Sequence, residues 1–252
     1  MITFVMLTWN RKIFLEKFFE AFYKNKSQNN DYQFLLVDNG SNDGTVKILK
    51  KREQEDKNLK IFYNKKNKGL NQYKRLLNKS KGDYIIILDD DVIDFPENFD
   101  LQMVNYIDNF QNFGFIGLDV IVNKHTNGGK PQPENYIDYE HNNLTISEGP
   151  TGGWCVIMRR KDYAKIKLRF NISRFNMQKA EDGKLSRLLA SRLNLRSGIM
   201  KNVCCLHACG PVYSKMFGCM ERDLQKFKAA NLDAFVEWYN SENNNQKINS
   251  EN

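Results

Sequence analysis

The sequence predicts an α/β protein, a single domain built on a mainly parallel sheet flanked by helices. Three observations lead there. Four short apolar runs in the first hundred residues alternate with segments whose apolar residues recur at helical spacing. The polar clusters of that half fall where each apolar run ends. A chain of 252 residues with 41% hydrophobic and 12% aromatic content suffices for one sizeable core.

Taken in order, residues 2–7, 34–37, 61–63 and 84–88 read as buried strands. Between them Phe14, Phe18 and Phe22, then Val46 and Leu49, then Leu70, Tyr73 and Leu77 mark one helical stripe per connection. The resulting β-α-β-α-β-α-β order implies parallel strands, with ligands held beyond their carboxyl ends. Those ends carry Thr8, Trp9 and Asn10, then Asp38, Asn39 and Gly40, then Asn64, then Asp89, Asp90 and Asp91. Further on, 115–122 reads as a strand, 123–150 as a long loop rich in Gly, Pro and Asn, and 154–158 as another strand. Long loops over a sheet end are often lids or binding loops. Leu185, Leu188, Leu189 and Leu193 stripe a helix starting near Glu181, and a short strand is expected over 195–200. Leu224, Phe227, Phe235 and Tyr239 suggest C-terminal helices, and the polar tail 240–252 is expected to be disordered.

Composition narrows the class. No run approaches the roughly 20 apolar residues that span a bilayer, and the N-terminal apolar run is too short for a signal-peptide core and lacks a basic flank. A soluble, unprocessed, cytoplasmic protein is expected, at most peripheral to a membrane. Five cysteines with no CxxC pair argue against a disulfide framework. The net charge of +8 favours anionic partners without choosing among nucleotide phosphates, membrane surfaces and nucleic acid.

Two clusters carry the chemistry. Three adjacent carboxylates at a strand end repel one another unless a cation neutralises them, and strand alternation sends Asp89 and Asp91 the same way, with Asp90 away. One of that pair can ligate a metal while the other reaches a ribose or a metal-bound water. A solvated acidic turn, or a helix N-cap before Pro96, accounts for the triplet equally well. In the second cluster, Asp38 to Thr45, glycines permit a tight turn and Asp43 or Thr45 can cap the next helix, which leaves Asp38 free to read a base edge.

With these segments in view, the chain resembles the family 2 glycosyltransferases, nucleotide-sugar enzymes of the GT-A (Rossmann-like) fold. Thr8-Trp9-Asn10-Arg11 resembles the family's T-x-N-R opening, and Asp38 through Thr45 its D-[DN]-[GS]-S-x-D-G-T signature. Asn64 through Gly69-Leu70-Asn71 resembles its N-x-G segment, and Lys81 through Asp91 the strand that ends in its D-x-D. The resemblance divides the domain 1–239 into a nucleotide-binding half, 1–100, and an acceptor-binding half, 101–239. It implies that Thr8, Asn10 and Asp38 border the base and ribose, with Arg11, Asn64, Gly69 and Asp90 also on the donor side. It also implies that Asp89 lies near the ribose or metal, and that Asp91 ligates the cation, Mn²⁺ or Mg²⁺.

In the second half, Gly152-Gly153-Trp154 resembles the family's sugar and acceptor segment, where glycines admit a sugar and an aromatic face stacks on it; a glycine turn before a core tryptophan fits as well. Glu181-Asp182 resembles the family's E-D pair, which implies Asp182 as catalytic base and Glu181 beside the sugar; helix capping is the plainer role. His207 resembles the late histidine that completes the metal shell, against a zinc site with Cys205 and Cys209 or a merely buried imidazole.

The expected function is inverting transfer of a sugar, from a UDP-sugar by preference, to a hydroxyl of a glycan, lipid-linked or other polymer. The basic run from Arg159 to Arg169 is ordinarily a solvated face, and would gain purpose with an anionic acceptor or a membrane surface. Transfer to a modified DNA base and a non-catalytic nucleotide-sugar or glycan-binding protein are the alternatives. Nucleotidyl transfer ranks low, because no glycine-rich phosphate loop follows the first strand.

Overall fold

The computed structural model describes residues 1–28 and 31–248, the last seven of these by backbone alone. The first half alternates as expected: β1 (Ile2–Thr8), α1 (Lys12–Asn25), β2 (Tyr32–Asp38), α2 (Thr45–Glu55), β3 (Leu59–Tyr63), α3 (Tyr73–Lys79) and β4 (Tyr84–Leu88). There follow β5 (Val92–Asp94), α4 (Phe99–Asn109), β6 (Phe113–Val120), β7 (Ile137–His141), β8 (Leu144–Glu148), β9 (Cys155–Arg159), α5 (Arg160–Ile172) and α6 (Glu181–Leu193). The chain ends with β10 (Arg196–His207), α7 (Pro211–Met216), α8 (Met220–Ala229) and α9 (Asp233–Ile248).

The sheet order is β3-β2-β1-β4-β9-β6-β10-β8-β7, with β5 paired to the end of β10. Strands β1 to β4 are mutually parallel and β10 is parallel to β6, whereas β9 and β8 run against their neighbours. The sheet is therefore mixed, but most of its strands point the same way and deliver their carboxyl ends to one edge. Alternation along the buried strands feeds two cores. Phe4 and Met6 face Phe18, Phe22 and Phe99, so α1 and α4 cover one side. Val5, Ile85 and Ile87 face Leu76, Ile166 and Leu185, so α3, α5 and α6 cover the other.

Four expectations change. The loop over 123–150 contains the hairpin β7-β8, closed by Asn142 and Asn143 at φ of 50° and 60°. A two-residue turn needs such left-handed backbone, which asparagine tolerates. The short strand at 195–200 extends to His207, because a register shift between Met200 and Cys204 restores pairing with β6 and then with β5. The basic run is broken at its start: Arg159 is buried, donating to the Phe113 carbonyl at 2.9 Å and pairing with Asp162. Finally, α9 continues through Ile248, into the stretch for which composition predicts disorder. Its packed residues Phe235, Trp238 and Tyr239 start a helix that then propagates at little cost. Residues 249–252 lie outside the described residues.

Candidate active site

Three strand ends build the site. At the end of β4 the chain turns so that Asp89 and Asp91 face one way, and the Ala208 amide donates to the Asp91 carbonyl at 2.8 Å, tying that turn to the end of β10. His207 Nε2 then lies 3.1 Å from Asp91 Oδ1 and 4.0 Å from Asp89 Oδ2. One potential ligand atom from each of the three residues falls within 4.8 Å of the others. The other imidazole nitrogen, Nδ1, is 2.7 Å from the Gly128 carbonyl. A bond donated there fixes the tautomer and leaves Nε2 free to accept a cation. Hard carboxylate oxygens with one imidazole suit a divalent cation such as Mn²⁺. The zinc alternative is not assembled among the described residues: the Cys205 thiol is buried in the core, and His207 groups with Asp89 and Asp91 and not with a cysteine pair.

Asp90 turns away from this group, as alternation requires. It accepts the Thr8 hydroxyl at 2.6 Å and lies 3.8 Å from the Arg11 guanidinium. Arg11 is itself buried and also reaches Asp91 at 3.5 Å and Asp223 at 3.3 Å. Burial alone would lower its pKa, yet these three carboxylates raise it, so it stays charged beneath the acidic cluster. Arg11 is thus a counter-ion to the aspartates rather than a free arm for phosphate. Burial, then repulsion from Asp91, pushes Asp89 up to about 7. Asp91 goes the other way: burial opposes its charge, but His207 and Arg11 hold it below the ordinary carboxylate range. His207 is raised well above 6.5, burial being outweighed by Asp91.

A cleft of about 490 Å³ opens along these strand ends. Thr8, Arg11, Gly69, Asp89, Asp90, Asp91, Gly153, Glu181 and Asp182 line it, all residues that the sequence singles out. Asn10, Asp38 and Asn64 instead brace its loops. Asn10 accepts the Asn42 amide at 2.8 Å, Asp38 accepts the Ser41 amide at 3.3 Å, and Asn64 donates to Asn39 and Gln72. At the N-terminus of α6, the Asp182 carboxylate accepts the Gly183 amide at 2.5 Å and faces Gly153, where an added Cβ would come within 3.3 Å of the Asp182 Cβ. Beside it Glu181 is buried, and its Oε2 has no hydrogen-bond partner among the described residues. Burial, then Asp182, raises its pKa well above 4.5, which favours the neutral acid over the carboxylate.

Trp154 is not in the cleft. Its indole is 3% exposed, donates to the Leu118 carbonyl at 2.9 Å, and stacks on His207 at a centroid distance of 5.9 Å. Gly152 exists for it: a Cβ there would come within 2.6 Å of the indole ring. Of the two readings of Gly152-Gly153-Trp154, the core tryptophan holds for Gly152 and Trp154, and only Gly153 reaches the cleft. Trp154→Ala is accordingly expected to destabilise the fold by about 3–5 kcal/mol, measurable by urea unfolding, whereas a sugar-stacking residue would leave stability nearly unchanged.

The residues missing from the sequence reading come from α8. Asp223, fully buried, pairs with Arg11; Arg222 donates to the Trp9 carbonyl at 3.0 Å and lines the cleft. Lys226 lines both this cleft and a second hollow of about 470 Å³ across Asp89 and Asp91, and burial followed by Arg222 lowers its pKa to about 8. No local pattern marks them, because helix-striped charges on α8 look like any solvated face.

A model of the Glycosyl transferase family 2 matches residues 3–167. An uncharacterized glycosyltransferase of Mycoplasma genitalium is 30% identical over 96 residues, and one of Haemophilus influenzae is 30% identical over 103. These matches take in 36% and 40% of this chain, and only 32% and 40% of those relatives' own lengths. Among solved structures, S. aureus TarS 1-349 in complex with UDP-GlcNAc aligns with a TM-score of 0.62 at 15% identity, over 91% of this chain and 67% of that one. The mannosyltransferase PcManGT of Pyrobaculum calidifontis, in complex with GDP-Man and Mn²⁺, aligns with a TM-score of 0.60 at 16% identity, over 90% of this chain and 61% of that one. At such identities the likeness is one of fold, and the fold is GT-A.

Proposed function

Because the chain belongs to glycosyl transferase family 2, we propose that it is a metal-dependent, inverting glycosyltransferase. It moves a sugar from a nucleoside diphosphate donor, a UDP-sugar by preference, to an acceptor hydroxyl on a glycan, lipid-linked or other polymer. The observation that carries this reading is the convergence of Asp89, Asp91 and His207 into one ligand set, whose two aspartates line a cleft that also holds Asp182. A binding protein would need no base beside its donor site. The donor preference follows the family resemblance, and the neighbours' complexes with UDP-GlcNAc and with GDP-Man and Mn²⁺ support a nucleotide-sugar and a cation of that kind.

Asp89, Asp91 and His207 would hold a divalent cation, which when bound would supply Lewis-acid neutralisation of the charge on the diphosphate. The protein's own groups do the rest. Arg11 keeps the aspartates in place, and Lys226 and Arg222 add positive charge at the same wall, where it strengthens binding of phosphate oxygens. Asp182 takes the acceptor hydroxyl proton as that oxygen attacks the anomeric carbon from the face opposite the leaving group. Glu181, buried with its Oε2 unpartnered among the described residues, is left to hydrogen-bond a sugar hydroxyl. The test is a thermal-shift screen of nucleotide sugars with and without Mn²⁺, in which one donor class should raise the midpoint only with the cation present. Donor binding with no transfer across a broad acceptor panel would favour a non-catalytic binding protein.

The cation must displace protons, which gives the site a pH signature. Asp89 is pushed up to about 7 and the neighbouring Asp91 favours the protonated form of His207, so a cation entering the site competes with protons. Mn²⁺ affinity is expected to rise with pH from about 6 to about 8, by up to about tenfold per unit for each proton released. The metal-free protein should behave oppositely. Asp89 has a folded pKa above its unfolded value of 3.8, so its contribution to stability is present at low pH and is lost as pH rises through about 7. Calorimetric titration of Mn²⁺ at several pH values, paired with melting curves in EDTA, checks both signs.

A further inference from the structure

The positive charge of this chain is concentrated on one face. Residues 64–82 and 160–195 hold 17 of the 38 basic residues and 3 of the 30 acidic ones, a net +14, which leaves −6 for the rest of the chain. They comprise α3, α5, α6 and adjoining loops, the helical layer on one side of the sheet. The three acids are not on its surface as free charges: Asp162 is buried against Arg159, Glu181 is buried, and Asp182 lines the cleft. At the centre of the layer, α5 presents Lys161, Lys165, Leu168 and Ile172 along one outward stripe, with Lys167 and Arg169 exposed beside it. Leu168 and Ile172 are 76% and 74% exposed, the two most exposed large hydrophobic residues among those described. Lys165 is partly engaged by Asp162 at 3.5 Å; its side chain is still 61% exposed.

We propose that this face, centred on α5, docks on an anionic lipid bilayer, with Leu168 and Ile172 entering the headgroup region and the surrounding Lys and Arg held against the phosphates. Basic charge alone would suit a nucleic acid equally. Two bare aliphatic side chains at its centre do not, whereas they fit an interfacial helix that combines apolar insertion with electrostatic attraction. No helix of the described residues is long and apolar enough to cross a membrane, so contact of this kind is peripheral. It also orients the cleft. The C-terminal end of α5 runs into the segment whose Phe175, Asn176 and Met177 line the cleft wall, so docking brings the mouth toward the surface.

The inference does not depend on the catalytic reading, and its test needs no turnover. Protein is co-sedimented with vesicles of phosphatidylcholine alone or with about 30% phosphatidylglycerol, at about 0.1 M and about 0.5 M salt. Binding to the anionic vesicles only, weakened by salt, is expected. The double variant Leu168→Ser/Ile172→Ser and, separately, Lys165→Glu/Arg169→Glu should each weaken it about tenfold or more, with circular dichroism and the nucleotide-sugar thermal shift unchanged. Equal binding to neutral vesicles, unaltered binding by the apolar double variant, or binding to a DNA duplex with none to vesicles would overturn the proposal.

Discussion

Asp91→Ala is expected to lower sugar transfer by about a thousandfold or more, and added Mn²⁺ should not restore it. A metal that stabilises a departing diphosphate contributes several kcal/mol to the transition state, and each 1.36 kcal/mol is tenfold in rate. Asp91 makes the closest contact to His207, 3.1 Å, and is the carboxylate held most firmly in its charged form. The fold should survive the change, since Arg11 keeps Asp90 and Asp223 as counter-ions. Removing Asp91 also relieves the repulsion on Asp89, whose pKa should fall from about 7 toward the ordinary range. The measurement is the initial rate across an Mn²⁺ titration, with an EDTA-treated wild type as reference. If the wild type transfers sugar at full rate in EDTA, the metal reading is lost, whatever Asp91→Ala does.

Asp182→Asn is expected to cut kcat by about 10²- to 10⁴-fold, the range that a positioned general base contributes, with little change in donor affinity. The substitution is chosen because asparagine keeps the same shape and can still accept the Gly183 amide that Asp182 accepts at 2.5 Å. If Asp182 served only to order the first turn of α6, Asp182→Asn would leave the rate almost intact. Wild-type kcat in this variant, with unchanged melting, would falsify the base assignment. A loss of kcat with donor affinity and melting unchanged would support proton transfer by Asp182.

Much of the site was legible because its residues occupy strand ends, and strand ends can be read from the point where an apolar run stops. Asp89 to Asp91 follow Tyr84–Leu88 directly, and Thr8 closes β1, so local order already brought them to one edge. Asn10, Asp38 and Asn64 lie where expected along the chain, but their side chains face neighbouring loops; the direction of a side chain in a turn depends on the turn's hydrogen bonds. Trp154 illustrates the same limit, since a tryptophan after two glycines fits a sugar platform and a core plug equally until the burial of its indole is seen.

What the sequence alone determined is the α/β alternation, the polar edge of the sheet, and the identity of the carboxylates and histidine. Apolar periodicity is a local quantity, carried by residues a few positions apart. Tertiary structure decided the rest. The register shift in β10 sets His207 against Asp91, 116 positions earlier. Packing of α8 brings Asp223 to Arg11 across 212 positions. Both depend on long-range pairing, whose energy comes from burial and charge compensation between segments that leave no periodic trace in either. The position of bare leucine and isoleucine on an otherwise basic layer was decided there too, because only the assembled helices show which stripe of α5 is left uncovered.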